Sequence, residues 1–262
     1  MNYAILYMGS IMCIVAATSF LMQWRQYSPR VQVGQPKCPT LAQFAETSKS
    51  SACRYGVFSQ TEFETRTAWL QQHLTQNNAP IIEGHSGQTA TQFLIYSKIF
   101  EKCDVKSIAE VGFNAGHSAL VMLMSNPHAR IQSFDLGEYE SARVALASLK
   151  KQFPDRDIDV IWGDSRQTIP AYAQTYTGPK FDVIIVDGGH SYDVARADVM
   201  NMRALGHKDS ILIVDDTFCD AAYCVDKAVD DLEREGGVLK VMERIPLSFS
   251  SRGMTIARYL YP

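Results

Sequence analysis

The 262-residue chain has no excess of basic charge: 25 Lys and Arg stand against 28 Asp and Glu, a formal charge of −3. Nucleic-acid binding normally needs a basic face, so no nucleic-acid partner is expected. Cysteine is scarce. Six copies are too few and too scattered for a small disulfide scaffold. Cys219 and Cys224 are five apart and Cys38 and Cys53 fifteen apart, so C-x-x-C spacing is missing, and with it the zinc-ribbon and thioredoxin readings. Internal repeats, low-complexity tracts and Asn-x-Ser/Thr sequons are also missing. A hydrophobic share of 46% with 20% charged residues excludes global disorder, and the length leaves room for one sizeable core plus appendages.

One stretch lacks ionisable acids and bases altogether. Tyr3 to Met22 reads YAILYMGSIMCIVAATSFLM, 20 residues, which is the roughly 20 needed to cross a bilayer core as a helix. Gln23, Trp24 and Arg25 follow as a polar, aromatic and cationic edge. A cleaved secretory signal competes, with small residues at Ala17 and Ser19, but no Lys or Arg precedes the run and the run exceeds the usual apolar region. A single N-terminal transmembrane anchor is expected, touching the membrane through residues 3–24. Arg25, Arg30 and Lys37 all follow the span, which by the positive-inside tendency keeps the rest of the chain cytoplasmic; secretion after signal cleavage is the alternative. Residues 1–25 are thus read as anchor. Residues 26–60, with Pro29, Pro36, Pro39 and the SKSS stretch at 48–51, are read as linker.

An amphipathic pattern follows, Phe63, Trp69, Leu70 and Leu74, compatible with a helix ending before Asn77. A glycine-punctuated loop, Glu83 to Gly87, leads to a second helical stretch over Thr89 to Lys102. These make residues 61–105 an N-terminal helical segment of the catalytic domain. From Lys106 the rhythm changes to short apolar runs: Ser107–Val111, Arg130–Phe134, Ile158–Trp162, Phe181–Val186 and Ser210–Val214. Helical stretches of about 15–20 residues separate them. Near-continuous β-branched runs are what strands buried on both faces look like, and the alternation predicts an α/β fold, a parallel sheet with helices on both faces. Val238–Met242 and Met254–Leu260 close the chain with no long helix between them, so the last two of seven strands are expected to pair antiparallel. The core domain is residues 106–262.

In such sheets ligands bind beyond the carboxyl ends of the strands, where strand order reverses. After the first run comes Glu110-Val111-Gly112-Phe113-Asn114-Ala115-Gly116-His117-Ser118. Its glycines permit a tight turn and close ligand approach, but G-x-x-x-G is not the pyrophosphate pattern G-x-G-x-x-G. That makes a nicotinamide-dependent oxidoreductase a distant reading. With an acid two residues before Gly112, the motif suits a nucleoside carrying a cationic amino-acid tail. Asp135, 23 residues beyond Gly112, is placed to accept both ribose hydroxyls. Asp164 is placed to accept from an adenine amino group, with Ser165 beside it. Each of these acids could instead be a solvated loop acid or a helix N-cap. If the fourth and fifth runs are neighbours, Asp187 and the Asp215-Asp216 pair converge, and three such carboxylates repel unless a cation joins them. All-oxygen donors suit a hard ion, Mg²⁺ first, unless Asp215 or Asp216 merely caps the next helix. His190 follows Asp187 across two glycines and can serve as a general base at neutral pH. His117 either starts a helix or touches a cofactor.

Together these residues resemble the class I S-adenosylmethionine-dependent methyltransferases over about residues 80–262. EVGFNAGHS looks like the family's first motif, Asp135 its ribose-binding acid, and WGDS at 162–165 its adenine-contacting motif. VDGGHSYDVARAD followed by VDDT is similar to the metal-dependent macrocin O-methyltransferase and cephalosporin-hydroxylase-like group. The resemblance implies a Rossmann-like sheet and S-adenosylmethionine bound by Glu110, Gly112, Asn114, Gly116, His117, Ser118, Asp135, Asp164, Ser165 and Asp187. It also implies Mg²⁺ on Asp187, Asp215 and Asp216, catalysis by His190 with Asp187, and a small-molecule acceptor methylated on a hydroxyl; a homo-oligomer is compatible with it. Leu205-Gly206-His207-Lys208-Asp209 departs from the Lys-Pro-Gly-Gly turn of relatives, and the Glu83–Gly87 loop matches their cofactor-covering segment only loosely. A metal-independent N- or C-methyltransferase, a hydroxylase-like relative and a non-catalytic tethered binding protein are the alternatives.

Overall fold

The computed structural model describes residues 54–55, 58–82, 90–218, 225–247 and 252–262, all within the unit Ala52–Pro262. The expected anchor, most of the linker and the Glu83–Gly87 loop lie outside the described residues. Among the described residues, no helix is long and apolar enough to cross a membrane.

Two helices precede the sheet: α1, Gln60–Gln76, and α2, Ala90–Phe100. Ser59 and Glu62 form a reciprocal capping box that starts α1, satisfying two of the N–H groups every helix start leaves open. Phe63 of α1 stacks on Phe93 of α2 with centroids 4.5 Å apart. The last residues of the expected linker touch the domain. Tyr55 N–H donates to the Glu101 carbonyl at 2.9 Å, Arg54 bridges Lys102 and its guanidinium pairs with Glu101. Cys103 is disulfide-bonded, and every other cysteine lies outside the described residues.

The sheet elements are β1, Ser107–Val111; α3, His117–Ser125; β2, Arg130–Asp135; α4, Glu140–Gln152; β3, Ile158–Trp162; α5, Ser165–Thr175; β4, Phe181–Val186; α6, Tyr192–Met202; β5, Gly206–Thr217; α7, Val225–Arg234; β6, Leu239–Pro246; and β7, Gly253–Tyr259. The seven strands lie in the order β3-β2-β1-β4-β5-β7-β6. The first five are parallel, and β7 enters antiparallel to both β5 and β6, as the missing helix between the last two runs predicts. Strand order reverses between β1 and β4, which opens a crevice above their ends.

Side-chain alternation divides each strand between two helix layers. Ala109, Val111, Phe134, Val186, Leu212 and Val214 pack in one core cluster with Ile169, Ala195, Val199, Val229 and Leu232 from α5, α6 and α7. The intervening positions, Glu110, Ser133 and Asp215 among them, face the layer that holds α2 and α3. The helices between strands are 9 to 13 residues long, shorter than predicted, because the loops at the carboxyl strand ends take the remainder. Strand β5 is longer than its apolar run. It starts at Gly206, which pairs with Phe181, and continues through Asp215 and Asp216 to Thr217, which pairs with Gly253. The acidic pair therefore belongs to a strand, and helix capping does not explain it.

Candidate active site

Gly112 determines how the crevice is made. Its φ is +94°, and a Cβ built there would lie 1.9 Å from the Asp187 carbonyl oxygen. Only glycine lets the end of β1 pass so close to the end of β4. The close approach inferred from the sequence is thus to backbone, and it carries Asp187 to the crevice rim. The Gly112 N–H donates to the Phe134 carbonyl at 2.8 Å, and the Asp187 N–H to the Val111 carbonyl at 2.9 Å, so three strand ends are tied together.

A cavity of about 530 Å³ opens there, within the range of about 300–1,000 Å³ typical of small-molecule sites. Gly112, Asn114, His117, Ser118, Asp135, Asp164, Ser165, Asp187, His190, Asp215 and Asp216 all line it, so most of the residues singled out in the sequence meet on one surface. Asp135 is held as an acceptor, its Oδ2 receiving the Asn114 N–H at 2.8 Å and its Oδ1 the Gly137 N–H at 2.7 Å.

Two expected cofactor residues stand elsewhere. Gly116, at φ +75°, begins α3 against Phe113, Ala145 and Leu149. Glu110 is fully buried and accepts from the hydroxyls of Ser118 and of Ser133, the latter at 2.7 Å. Burial in the α2/α3 layer pushes its carboxyl up to about 7 against the pull of the two serines. Its place one residue before the strand end turns it into the sheet, whereas Val111 and the residues that follow it line the crevice. Asp164 lines the cavity but caps α5, accepting the Arg166 N–H at 2.9 Å, and both its oxygens engage the Arg166 guanidinium at 2.6 to 3.1 Å.

The acidic cluster is split by a bulge. Successive strand residues point to opposite faces, but the β5–β7 register shifts between Val214 and Thr217 and Asp216 adopts φ +55°, unusual for a residue with a Cβ. Asp215 keeps the α2 side, where Tyr96 Oη donates to its Oδ2 at 3.3 Å and Gln92 Nε2 bonds the same oxygen. Its carboxyl is pushed up to about 7 by burial and by Asp216, against the donors that serve it. Asp216 turns instead into the crevice. There its Oδ2 lies 2.7 Å from His190 Nε2 and its Oδ1 3.2 Å from an Arg252 guanidinium nitrogen. Burial opposes its ionisation, but His190 and Arg252 prevail and hold its carboxyl low. Asp187 moves the other way, raised well above the usual range by burial and then by Asp215 and Asp216.

Oxygen and nitrogen atoms of Asp187, His190 and Asp216 lie within 4.8 Å of one another. This is the grouping of possible metal ligands among the described residues, and it differs from the expected Asp187, Asp215 and Asp216 by one member. The sequence reading missed Gln92, Leu247 and Arg252, which line the cavity, and Tyr96. Gln92 and Tyr96 sit four apart on an apolar helix, the spacing of one helix face, and that was the only local signal for them.

Residues 109–217 match the family model of a methyltransferase domain. No curated protein matches the sequence. Among solved structures, an O-methyltransferase from Bacillus cereus in complex with S-adenosylhomocysteine is 15% identical, with 78% of this chain and 92% of that one covered and a TM-score of 0.60. TomG, an O-methyltransferase of tomaymycin synthesis from Streptomyces achromogenes in complex with S-adenosylmethionine, is 14% identical over 74% and 89% of the two chains, with a TM-score of 0.58. The S-adenosylhomocysteine-bound methyltransferase PaMTH1 of Podospora anserina is 17% identical over 79% and 91%, with a TM-score of 0.56. At such identities these structures speak for the fold. The domain match covers five of the seven strands, β1 to β5, whose ends form the crevice, and it speaks for the chemistry: residues 109–217 form an S-adenosylmethionine-dependent methyltransferase domain, in a fold shared with the solved methyltransferases.

Proposed function

We propose that the enzyme transfers the methyl group of S-adenosylmethionine to a hydroxyl of a small organic acceptor, assisted by a divalent cation, with Mg²⁺ the first candidate. The observation that carries this reading is the convergence of Asp187, His190 and Asp216 at the rim of the cavity. The residues fit a cation. Burial and mutual repulsion raise Asp187 and Asp215, and a positive ion would relieve that repulsion. Asp187 and Asp216 would hold it, with His190 beside them as the base and Asp215 behind, attached to α2. When bound, the ion would orient the acceptor hydroxyl and lower its pKa.

The chain's own residues do the rest. Asp135, with both oxygens fixed by backbone N–H groups, accepts from the ribose hydroxyls and aligns the sulfonium with the crevice. In-line transfer forms an oxygen–carbon bond and breaks the sulfur–carbon bond, leaving S-adenosylhomocysteine. The acceptor proton passes to the His190 imidazole, and Asp216, 2.7 Å from Nε2, stabilises the resulting cation. Alignment within roughly 3–3.5 Å provides much of the rate. A second reading has support from the same atoms. His190 and Arg252 already satisfy Asp216, which suits metal-independent transfer with His190 as an oriented base. Turnover measured with S-adenosylmethionine across an acceptor panel, before and after exhaustive chelation, separates the two. Loss on chelation with recovery on Mg²⁺ supports the cation, and unchanged turnover removes it.

We also propose that residues 3–24 tether the enzyme to a membrane. The disulfide at Cys103 favours a catalytic domain facing an oxidising compartment over the cytoplasmic side expected from the charges after the span. Protease protection of the domain in sealed membranes tests the side.

A further inference from the structure

Among the described residues that line the cavity, the permanently cationic side chains are Arg166 and Arg252, since an arginine keeps its proton at any working pH. Arg166 is taken up by both oxygens of Asp164, just past β3. Arg252 stands in the acidic cluster itself, a guanidinium nitrogen 3.2 Å from Asp216 Oδ1. Its backbone is fixed. The Leu247 N–H donates to the Arg252 carbonyl at 3.0 Å, which closes the β6–β7 hairpin. The next residue, Gly253, pairs with Thr217 on one side and Pro246 on the other, and Thr255 Oγ1 donates to Thr217 Oγ1 at 3.0 Å. The hairpin is thus tied to β5 directly beside Asp216. The guanidinium, by contrast, ends a long side chain that is 40% exposed, and it can turn toward the cavity while the strand stays in place.

We propose that Arg252 is the resident cation of the acidic cluster: its guanidinium and a divalent ion compete for Asp216, so that the chain sets its own metal affinity. The inference rests on the reading that Asp187 and Asp216 hold a cation, and extends it to a residue outside that ligand set. Asp216 Oδ1 faces Arg252, and Oδ2 lies 2.7 Å from His190 Nε2, so both oxygens are served before any ion arrives. A carboxylate has about four lone-pair sites, and room for an ion remains; charge is what opposes sharing. A guanidinium so close neutralises the carboxylate, and an ion on the same group meets a like charge at short range, in a site partly shielded from water. Removing the guanidinium restores the full charge of Asp216 and ends the repulsion, and both changes favour the ion. A merely structural role predicts the opposite sign. Truncating a residue needed only to shape the hairpin would leave the ligands less well placed and the ion more weakly held.

The probe is Mn²⁺, titrated into the full-length protein and followed by electron paramagnetic resonance, with a melting temperature recorded for each variant. Arg252→Gln is expected to bind Mn²⁺ about tenfold or more tightly than wild type, and Arg252→Lys, which keeps the charge, to stay within about threefold of wild type. Uptake by Arg252→Gln where wild type takes up none supports the competition in its strongest form. Measurable binding by folded Arg252→Gln that is equal to wild type or weaker overturns the inference and leaves the cation reading standing. No binding by either protein overturns both. A second measurement needs no variant. An ion that displaces the guanidinium opens it to phenylglyoxal, so labelling of the Arg252 peptide in wild type should rise about threefold or more at saturating Mn²⁺. Labelling that is unchanged or falls overturns the inference even where Arg252→Gln does not fold.

Discussion

Replacing Gly112 with alanine tests how the site is assembled. Two costs add. Alanine at φ +94° occupies left-handed backbone space, at about 1–2 kcal/mol. The new Cβ also stands 1.9 Å from the Asp187 carbonyl oxygen, where real Cβ atoms keep at least 3.0 Å, so the ends of β1 and β4 must part by roughly 1 Å. Relief of such overpacking typically costs about 1–3 kcal/mol. Together these predict a loss of about 2–5 kcal/mol, or roughly 10 °C in melting temperature for a domain of this size. A displacement of about 1 Å at Asp187 predicts a further loss of about 100-fold in turnover. Gly236→Ala is the internal control. It has φ +70° with nothing within 4 Å of its Cβ, so it carries the backbone cost without the clash and leaves the site untouched. Thermal unfolding of both variants, with methyl transfer from labelled S-adenosylmethionine, measures the two effects. Equal melting temperatures and equal turnover for Gly112→Ala and Gly236→Ala would refute the claim that backbone proximity builds the crevice.

The other expectations concern charge and metal. Stability should fall as pH rises from about 4.5 to 7, because Glu110 keeps its proton in the folded state up to about 7 while the unfolded chain loses it earlier. The shift from 4.5 to about 7 corresponds to roughly 3 kcal/mol. Glu110→Gln should lessen that slope in urea titrations at pH 5 and pH 8, with Asp187, Asp198 and Asp215 carrying the rest, and an unaltered slope would show that Glu110 is not buried as a proton-holding acid. Asp187→Ala should weaken Mn²⁺ binding, followed by electron paramagnetic resonance, at least tenfold and leave S-adenosylhomocysteine affinity within about threefold; metal binding equal to wild type would remove Asp187 from the ligand set. Asp135→Ala should weaken S-adenosylhomocysteine binding by about 1.5–3 kcal/mol, the worth of hydrogen bonds to a charged group, and unchanged calorimetric affinity would contradict its ribose role. Alkylation of unfolded but unreduced protein should leave Cys103 unlabelled in peptide mass spectra, and labelling before reduction would show that the disulfide does not form.

Much was legible without coordinates because it depends on short-range chemistry. β-Branched runs at regular intervals could only be buried strands, and parallel order followed from the helices between them. That order sends residues just past Val111, Phe134, Trp162, Val186 and Val214 to one edge, which is why Gly112, Asp135, Asp164, Asp187 and the Asp215-Asp216 pair were found from the sequence. What the sequence could not show is direction over one residue. Glu110, a single position before the end of β1, turns into the sheet and serves two serines. Asp215 and Asp216 part company because a bulge and a positive φ reverse one of them.

The sequence by itself determined the layers, the strand count and the edge on which the chemistry lies, since periodicity and motif position are local properties. Only the tertiary structure decided which acid meets which partner. Gln92 and Tyr96 reach Asp215 from more than 100 positions away along the chain, and Arg252 comes to Asp216 from the final hairpin. Such pairings depend on how helices settle on a sheet, and packing geometry of that kind leaves no periodic trace in the order of residues.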